Sequence, residues 1–404
     1  MLATLKNYPT TLNLLLSASL ILTLARAITL PYLVIYLSSH FGLSIADIGL
    51  VIGSTLIIGS LLSLYGGFLV DRMSSYRLIL LFCGVFTLGF LGAPIAPALW
   101  LFYLCLVLVN LAYAVIDIAV KAGFGSLLPV EQRSEAFSIK YTLTNIGYAV
   151  GPFLGAGLAA VDASLPFLMS AGLGAGFLFI YFVWGDRRLE TAQANQPPVA
   201  FLAVATLLLR DYRLVCFTLG GLLSAVVFGQ FTAYLSQYLI VTTTPQETYR
   251  IISTIVATNA LTVISLQYSL GKRISPRDLN RWLAAGLSLF IVGLGGFALS
   301  TTLLMWVLSM AIFTLGEIIV FPAEYMFIDN IAPNHLRGMY YAAQNLGNVG
   351  AALGPVLCGW VLATQPAYSM FYMLVVFVVA GGLMYFLGGL TASKRGSLTP
   401  PSDG

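Results

Sequence analysis

The chain has 404 residues, 59% of them hydrophobic and 8% charged, with a mean hydropathy of +0.93, whereas a soluble domain carries roughly 25% charged residues. Such a chain cannot clothe a water-facing surface, and its net charge of +4 comes from cations set between long apolar runs, which form no basic patch for nucleic acid. Crossing a ~30 Å hydrocarbon core takes about 20 apolar residues, so the length accommodates about twelve spans with short connections and leaves no room for a soluble catalytic domain.

Apolar runs between charged or turn-rich breaks place spans at 11–39, 45–70, 76–96, 99–127, 137–160, 165–184, 214–240, 249–270, 282–300, 303–330, 339–363 and 368–390. Backbone groups in lipid must be bonded internally and no run alternates with period two, so the runs predict helices and not a barrel. The expected fold is an all-α membrane protein: twelve transmembrane helices in two pseudo-symmetric six-helix bundles. The first run follows Lys6 and continues past signal-peptide length without a small-residue cleavage site, so it is expected to remain as the first helix. The expected division is an N-terminal bundle at 1–184, a cytoplasmic linker at 185–213, a C-terminal bundle at 214–392 and a cytoplasmic tail at 393–404. Gln193, Asn195, Gln196, Pro197 and Pro198 give the linker its polar character.

Orientation follows from Lys and Arg. With the N-terminus inside, the cytoplasmic segments hold Lys6, Arg72, Arg77, Arg133, Lys140, Arg187, Arg188, Arg210, Arg213, Lys272, Arg273, Arg277, Arg281, Arg337, Lys394 and Arg395, and the opposite side holds Arg250. That asymmetry predicts both termini in the cytoplasm of a bacterial inner-membrane protein. Cys83, Cys105, Cys216 and Cys358 lie in apolar runs without paired or ligand spacing, and His40 and His335 fall near opposite faces. No metal and no cofactor is therefore expected.

Ionisable residues inside spans are the strongest functional pointers, since a charge at mid-bilayer costs at least ~2.5–3.5 kcal/mol on insertion scales. In chain order they are Arg26, Asp117, Lys121, Glu317 and Glu324. Asp117 and Lys121 are four apart on one helix face, where they neutralise each other locally. That pairing makes them either scaffold or machinery. Glu317 and Glu324 are seven apart, again on one face, with no cation nearby in their own helix. Carboxylic acids in a partly dry cavity exchange protons near physiological pH, so Glu317, Glu324 and Asp117 are the candidate proton-coupling residues. Arg26 is a candidate for a substrate carboxylate or for modulating Glu317 or Asp117. Beside Arg26 and Lys121, the expected substrate cavity takes Tyr32, Tyr36, Tyr113, Asn145, Tyr148, Gln230, Tyr234, Gln237, Asn259, Gln344 and Asn348, with Gln267, Tyr325 and Asn345 as further candidates. Aromatic rings with a few hydrogen-bonding groups suit amphipathic ligands.

Two further segments carry structural meaning. After the second span, Gly66 and Gly67 let helix ends approach, Asp71 accepts charge-assisted bonds, and Arg72 and Arg77 anchor the inner face. In the fifth span Gly147, Gly151 and Gly155 recur every four residues beside Pro152, a pattern of close helix contact and a freed carbonyl. Asn145-Ile-Gly147-Tyr-Ala-Val-Gly151-Pro152 returns half a chain later as Asn348-Val-Gly350-Ala-Ala-Leu-Gly354-Pro355, and Pro129 and Arg133 share their spacing with Pro333 and Arg337. Six spans per copy predict parallel repeats related by an axis along the membrane normal, with a site between them.

The segment Gly66 to Arg77 resembles the signature between helices two and three of the major facilitator superfamily. That resemblance implies a cytoplasmic latch made by Gly67, Asp71, Arg72 and Arg77. The corresponding loop at 269–277 lacks the acidic residue. Gly147, Gly151, Pro152 and Gly155 look like the family's antiporter motif, although tight packing explains the glycines equally well. Gly316 to Asp329, Leu30-Pro31-Tyr32, the Lys121 segment and Leu266 to Arg273 resemble the YdeE-type branch of drug:proton antiporter-like transporters. This branch implies proton-coupled export of drugs or short peptides such as dipeptides, and a monomer in the lipid bilayer suffices because one chain joins both halves of the cavity. Many drug antiporters carry an acid in helix one and an arginine in helix four; here Arg26 stands in the first helix, and Asp117 and Lys121 in the fourth. Proton symport or facilitated uptake of a sugar or metabolite, and a transport-like receptor, use the same fold. An enzyme is disfavoured, because no span sets histidine near serine or cysteine and no phosphate-binding glycine loop appears.

Overall fold

The computed structural model describes residues 2–187 and 200–395. In chain order the helices are α1 (Leu2–Asn7), α2 (Thr10–Phe41), α3 (Ile45–Arg72), α4 (Ser75–Gly92), α5 (Leu99–Leu127), α6 (Val130–Ala159), α7 (Leu165–Trp184), α8 (Phe201–Arg210), α9 (Tyr212–Phe228), α10 (Phe231–Thr242), α11 (Pro245–Gly271), α12 (Leu279–Leu299), α13 (Leu303–Ile331), α14 (Arg337–Gln344), α15 (Gly347–Thr364) and α16 (Ser369–Arg395). Among the described residues ten spans are long and apolar enough to cross a membrane, with α14 and α15 together making one of them. Two more complete the twelve. The α6 helix is less apolar because Glu131, Arg133, Glu135 and Lys140 fall in its first eleven residues, and α9 with α10 forms a span interrupted at Gly229–Gln230.

Local chemistry sets the ends. Ser44 caps α3 by accepting from the Asp47 amide, and its hydroxyl donates to the Asp47 carboxylate at 2.7 Å. Gly42 ends α2 at φ 66°, a left-handed conformation that costs glycine little. Arg133 donates to the carbonyls of Gly125 and Leu128 at 2.7 and 2.9 Å, bonding the last turn of α5 across the loop. Asp211 caps α9 through the amides of Arg213 and Leu214, and α8 meets α9 at 84°, so α8 does not continue the span.

Several expected boundaries move. The helix of the fifth span begins at Val130 instead of residue 137, because Pro129 supplies an extended N-cap and the helix runs an exposed polar first turn before it becomes buried from Ser134 onward. The expected single helices at 214–240 and 339–363 are each broken, after Phe228 and after Gln344. Part of the expected linker, 201–210, is helical, while its residues 188–199 and the tail from 396 lie outside the described residues.

The chain packs as two compact units. The first comprises Met1–Pro197, Ala260–Arg273 and Ala332–Asn345, and the second Pro198–Asn259, Ile274–Ile331 and Leu346–Gly404. In the first, α2 packs on α5, α6 and α7, while α4 packs on α5 and α7; α14 lies against α3 and α5. In the second, α9 packs on α15 and α16, and α12 on α13 and α16. The pairs α2–α6, α2–α7, α4–α5 and α4–α7 thus match α9–α15, α9–α16, α12–α13 and α12–α16, as the sequence repeat requires.

Candidate functional site

The polar face of α5 organises the first unit. Asn110, Tyr113, Asp117 and Lys121 recur at spacings of three and four, so they line one side of a helix. Arg26, midway along α2, donates from Nη2 to Asn110 Oδ1 at 2.9 Å and lies over the Tyr113 ring, 4.8 Å from its centroid. The Tyr113 hydroxyl pairs with Thr23 at 2.9 Å. Further along, Asp117 forms ion pairs with Lys121 at 2.9 Å and with Lys140 of α6 at 2.6 Å. Lys121 also donates to Asn345 Oδ1 at 3.0 Å and faces the Tyr341 ring. Lys140 is therefore not a loop cation: it is buried among helices, and the count that orients the chain loses one residue without changing sign.

In the second unit Glu317 and Glu324 of α13 are both buried. Asn259 of α11 donates to Glu317 Oε2 at 2.7 Å and to Thr314 at 3.0 Å. Glu324 accepts from the Tyr385 hydroxyl of α16. The seven-residue spacing predicts one shared face, yet the two carboxylates are bonded by different helices, with Pro322 between them. An apolar groove of about 210 Å³ between α12 and α16 reaches Tyr385, and none of the expected cavity residues line it.

The remaining expected cavity residues divide by burial. Tyr36 is buried in an aromatic cluster, stacked on Phe102 at 5.4 Å, and its hydroxyl donates to the Pro94 carbonyl; Tyr234 is fully buried. Tyr32 donates to the Pro152 carbonyl, and Asn145 to the Tyr141 carbonyl of the preceding turn. Tyr148 and Asn348 are exposed, Gln344 is half-buried, and Gln230 stands at the break before α10. The Gln237 Oε1 atom is buried without a hydrogen-bond partner among the described residues.

At the basic end of the first unit, Asp71 caps α14. Its Oδ1 accepts from the Gly338 amide at 2.6 Å and its Oδ2 from the Met339 amide at 2.9 Å. A carboxylate at a helix N-terminus meets both unsatisfied amides and the positive end of the dipole. Gly67 makes this approach possible, since a Cβ there would stand 2.5 Å from the Gly338 carbonyl oxygen and from the Ala342 side chain. Arg72 turns back over the Phe68 ring at 4.2 Å, and Arg77 is exposed. Around this end Ser134 donates to the Gly271 carbonyl at 2.7 Å, while Glu135 accepts from Tyr268 at 2.7 Å and from Thr4 at 3.0 Å.

The glycine motif is a packing seam. Cβ atoms on Gly151 and Gly155 would stand 2.4 Å from Ala27 Cβ and 2.2 Å from the Ile28 carbonyl oxygen, and those on Gly350 and Gly354 would meet the Leu222 and Val226 carbonyl oxygens of α9. Because the obstructing atoms are largely backbone, Gly151→Ala is expected to cost about 1–3 kcal/mol through overpacking. Thermal unfolding in detergent checks it; a midpoint equal to that of the native chain would show that α2 and α6 separate freely.

Sequence reasoning missed Lys140, Asn110, Tyr385, Glu135 and Tyr268. Asn110 was visible on the α5 polar face, and Lys140 lay inside its own predicted span; nothing local marked the other three.

Twelve membrane helices in repeat-related packing, with ionisable side chains held inside the protein, define a polytopic membrane protein of the secondary-transporter class. The Major Facilitator Superfamily profile matches residues 15–349. The chain is 36% identical to the MFS-type transporter YdeE of Escherichia coli K12, over 93% of this chain and 94% of that one. It is 23% identical to the multidrug resistance protein MdtH of Yersinia pestis, over 88% of each chain, and 22% identical to a Na(+), Li(+), K(+)/H(+) antiporter of Planococcus maritimus, over 81% and 83%. A bacterial homologue of the iron transporter ferroportin, solved in an outward-facing state, superposes with a TM-score of 0.75 at 13% identity, over 95% of this chain and all of that one. The chain belongs to the Major Facilitator Superfamily, and it is a multi-pass membrane transporter with the twelve-helix fold of that family.

Proposed function

We propose that the protein is a proton-coupled secondary transporter that exports small amphipathic molecules, drugs or short peptides, across the bacterial inner membrane. The observation that carries this reading is Glu317: a buried carboxyl midway along α13, held by the Asn259 amide. Inside a membrane an ionisable group is costly and marks an ion or proton path. The distant antiporter and multidrug relatives support coupling and export. Asp117 is the counter-ion of two lysines, so we place coupling on Glu317 and Glu324 and give Asp117 the task of holding Lys121 and Lys140.

In this reading the chain carries two six-helix bundles, 1–184 and 214–392, both termini are cytoplasmic, and a monomer suffices because one chain holds both halves. The bonds from Asp71 to the start of α14 then hold the cytoplasmic side closed. Asp71→Asn replaces a charged acceptor with an amide whose N–H₂ faces a backbone donor. It is expected to leave substrate affinity within about twofold while raising labelling of cysteines placed at the cytoplasmic ends of α3 and α14. Unchanged labelling would remove Asp71 from the latch.

The test of function is purified protein in liposomes with an internal pH dye, challenged with dipeptides and lipophilic cations. Substrate-dependent proton movement, with opposed fluxes, is the expected result; co-directional flux would make it a symporter, and binding without flux would end the transport reading.

A further inference from the structure

We propose that Arg26 is a subsite for the carboxylate of an anionic substrate, so that the transported class is carboxylate-bearing amphipaths and not lipophilic cations. The inference rests on the transporter reading above and narrows its substrate class. Arg26 is half-buried at the middle of α2, and its partners are the neutral Asn110 amide and the neutral Tyr113 ring. A guanidinium offers five N–H donors in a fixed planar fork, of which Asn110 takes one.

The nearby carboxylate is already committed. Asp117 stands one turn beyond Tyr113 on α5, but its two oxygens are held by Lys121 and Lys140 at 2.9 and 2.6 Å. Within the span interior of the first unit, Arg26, Lys121 and Lys140 therefore face one acid, and Arg26 is the cation left without a carboxylate among the described residues.

The surroundings also fix how an anion meets it. Asn110 Nδ2 donates to Thr55 Oγ1 at 3.4 Å, which turns Oδ1 toward Arg26, and the Thr23 hydroxyl holds the Tyr113 ring in place. With the ring over one face of the guanidinium, an incoming group approaches the edge, where the remaining N–H bonds point. That geometry suits the planar, two-oxygen acceptor of a carboxylate.

The test measures binding of a matched pair of probes to purified protein: N-acetyl-L-phenylalanyl-L-alanine and its C-terminal amide, which differ in the carboxylate alone. The acid is expected to bind at least about tenfold tighter than the amide, Arg26→Gln to bring that ratio near one, and Arg26→Lys to keep the preference. A ratio near one in the native chain, a ratio that survives Arg26→Gln, or failure of the acid to bind overturns the proposal. If Arg26→Gln fails to fold, the native ratio and Arg26→Lys still decide. Flux in liposomes separates this inference from the reading beneath it. Proton movement driven by tetraphenylphosphonium but not by the acid keeps the transporter and removes the carboxylate subsite. Discriminating binding without any flux does the reverse.

Discussion

Replacing Glu317 by Gln is expected to reduce substrate-dependent proton movement in liposomes to the level of protein-free vesicles, while Asp47→Asn retains the native rate. The amide of Gln preserves the size of the side chain and still offers an oxygen to Asn259, whose Nδ2 bonds Glu317 Oε2 at 2.7 Å. What it removes is the exchangeable proton. Asp47 is an exposed residue in the first turn of α3, bonded to Ser44, where loss of charge affects one surface cap. The two variants therefore separate a proton carrier from a merely acidic residue. Equal proton movement in both would take Glu317 out of the mechanism and leave Glu324, bonded to Tyr385 on another helix, as the acid to test next.

The second large effect is on stability. Asp117→Asn leaves the ammonium groups of Lys121 and Lys140 facing each other with side chains 2% and 5% exposed. Removing one member of a buried ionic cluster typically costs about 3–5 kcal/mol, because the remaining charges lose the counter-ion that compensated their removal from water. Thermal unfolding in detergent should show a large drop in midpoint for Asp117→Asn and substantial recovery in the double variant Asp117→Asn, Lys140→Met, which restores the net charge of the cluster. A single variant as stable as the native chain would show that the lysines reach water.

Membrane physics wrote much of the fold into the sequence. Each span had to satisfy its own backbone and clothe itself in apolar side chains, so spans, fold class and the repeat around Gly147 and Gly350 were legible from composition and spacing. So was the Asp117–Lys121 pair, because residues four apart meet on any helix. Spacing names a face of a helix but not what that face meets. Only the tertiary structure brought Lys140 to Asp117, Asn110 beneath Arg26, and the Asp71 carboxylate to amides 267 and 268 positions away. It also divided Glu317 from Glu324, assigning one to α11 and the other to α16, although their spacing placed them together. Local periodicity is set by the helix itself, whereas the partner of a buried charge is set by which helices pack against it, and that is decided by seams such as the glycine contact of α6 on α2.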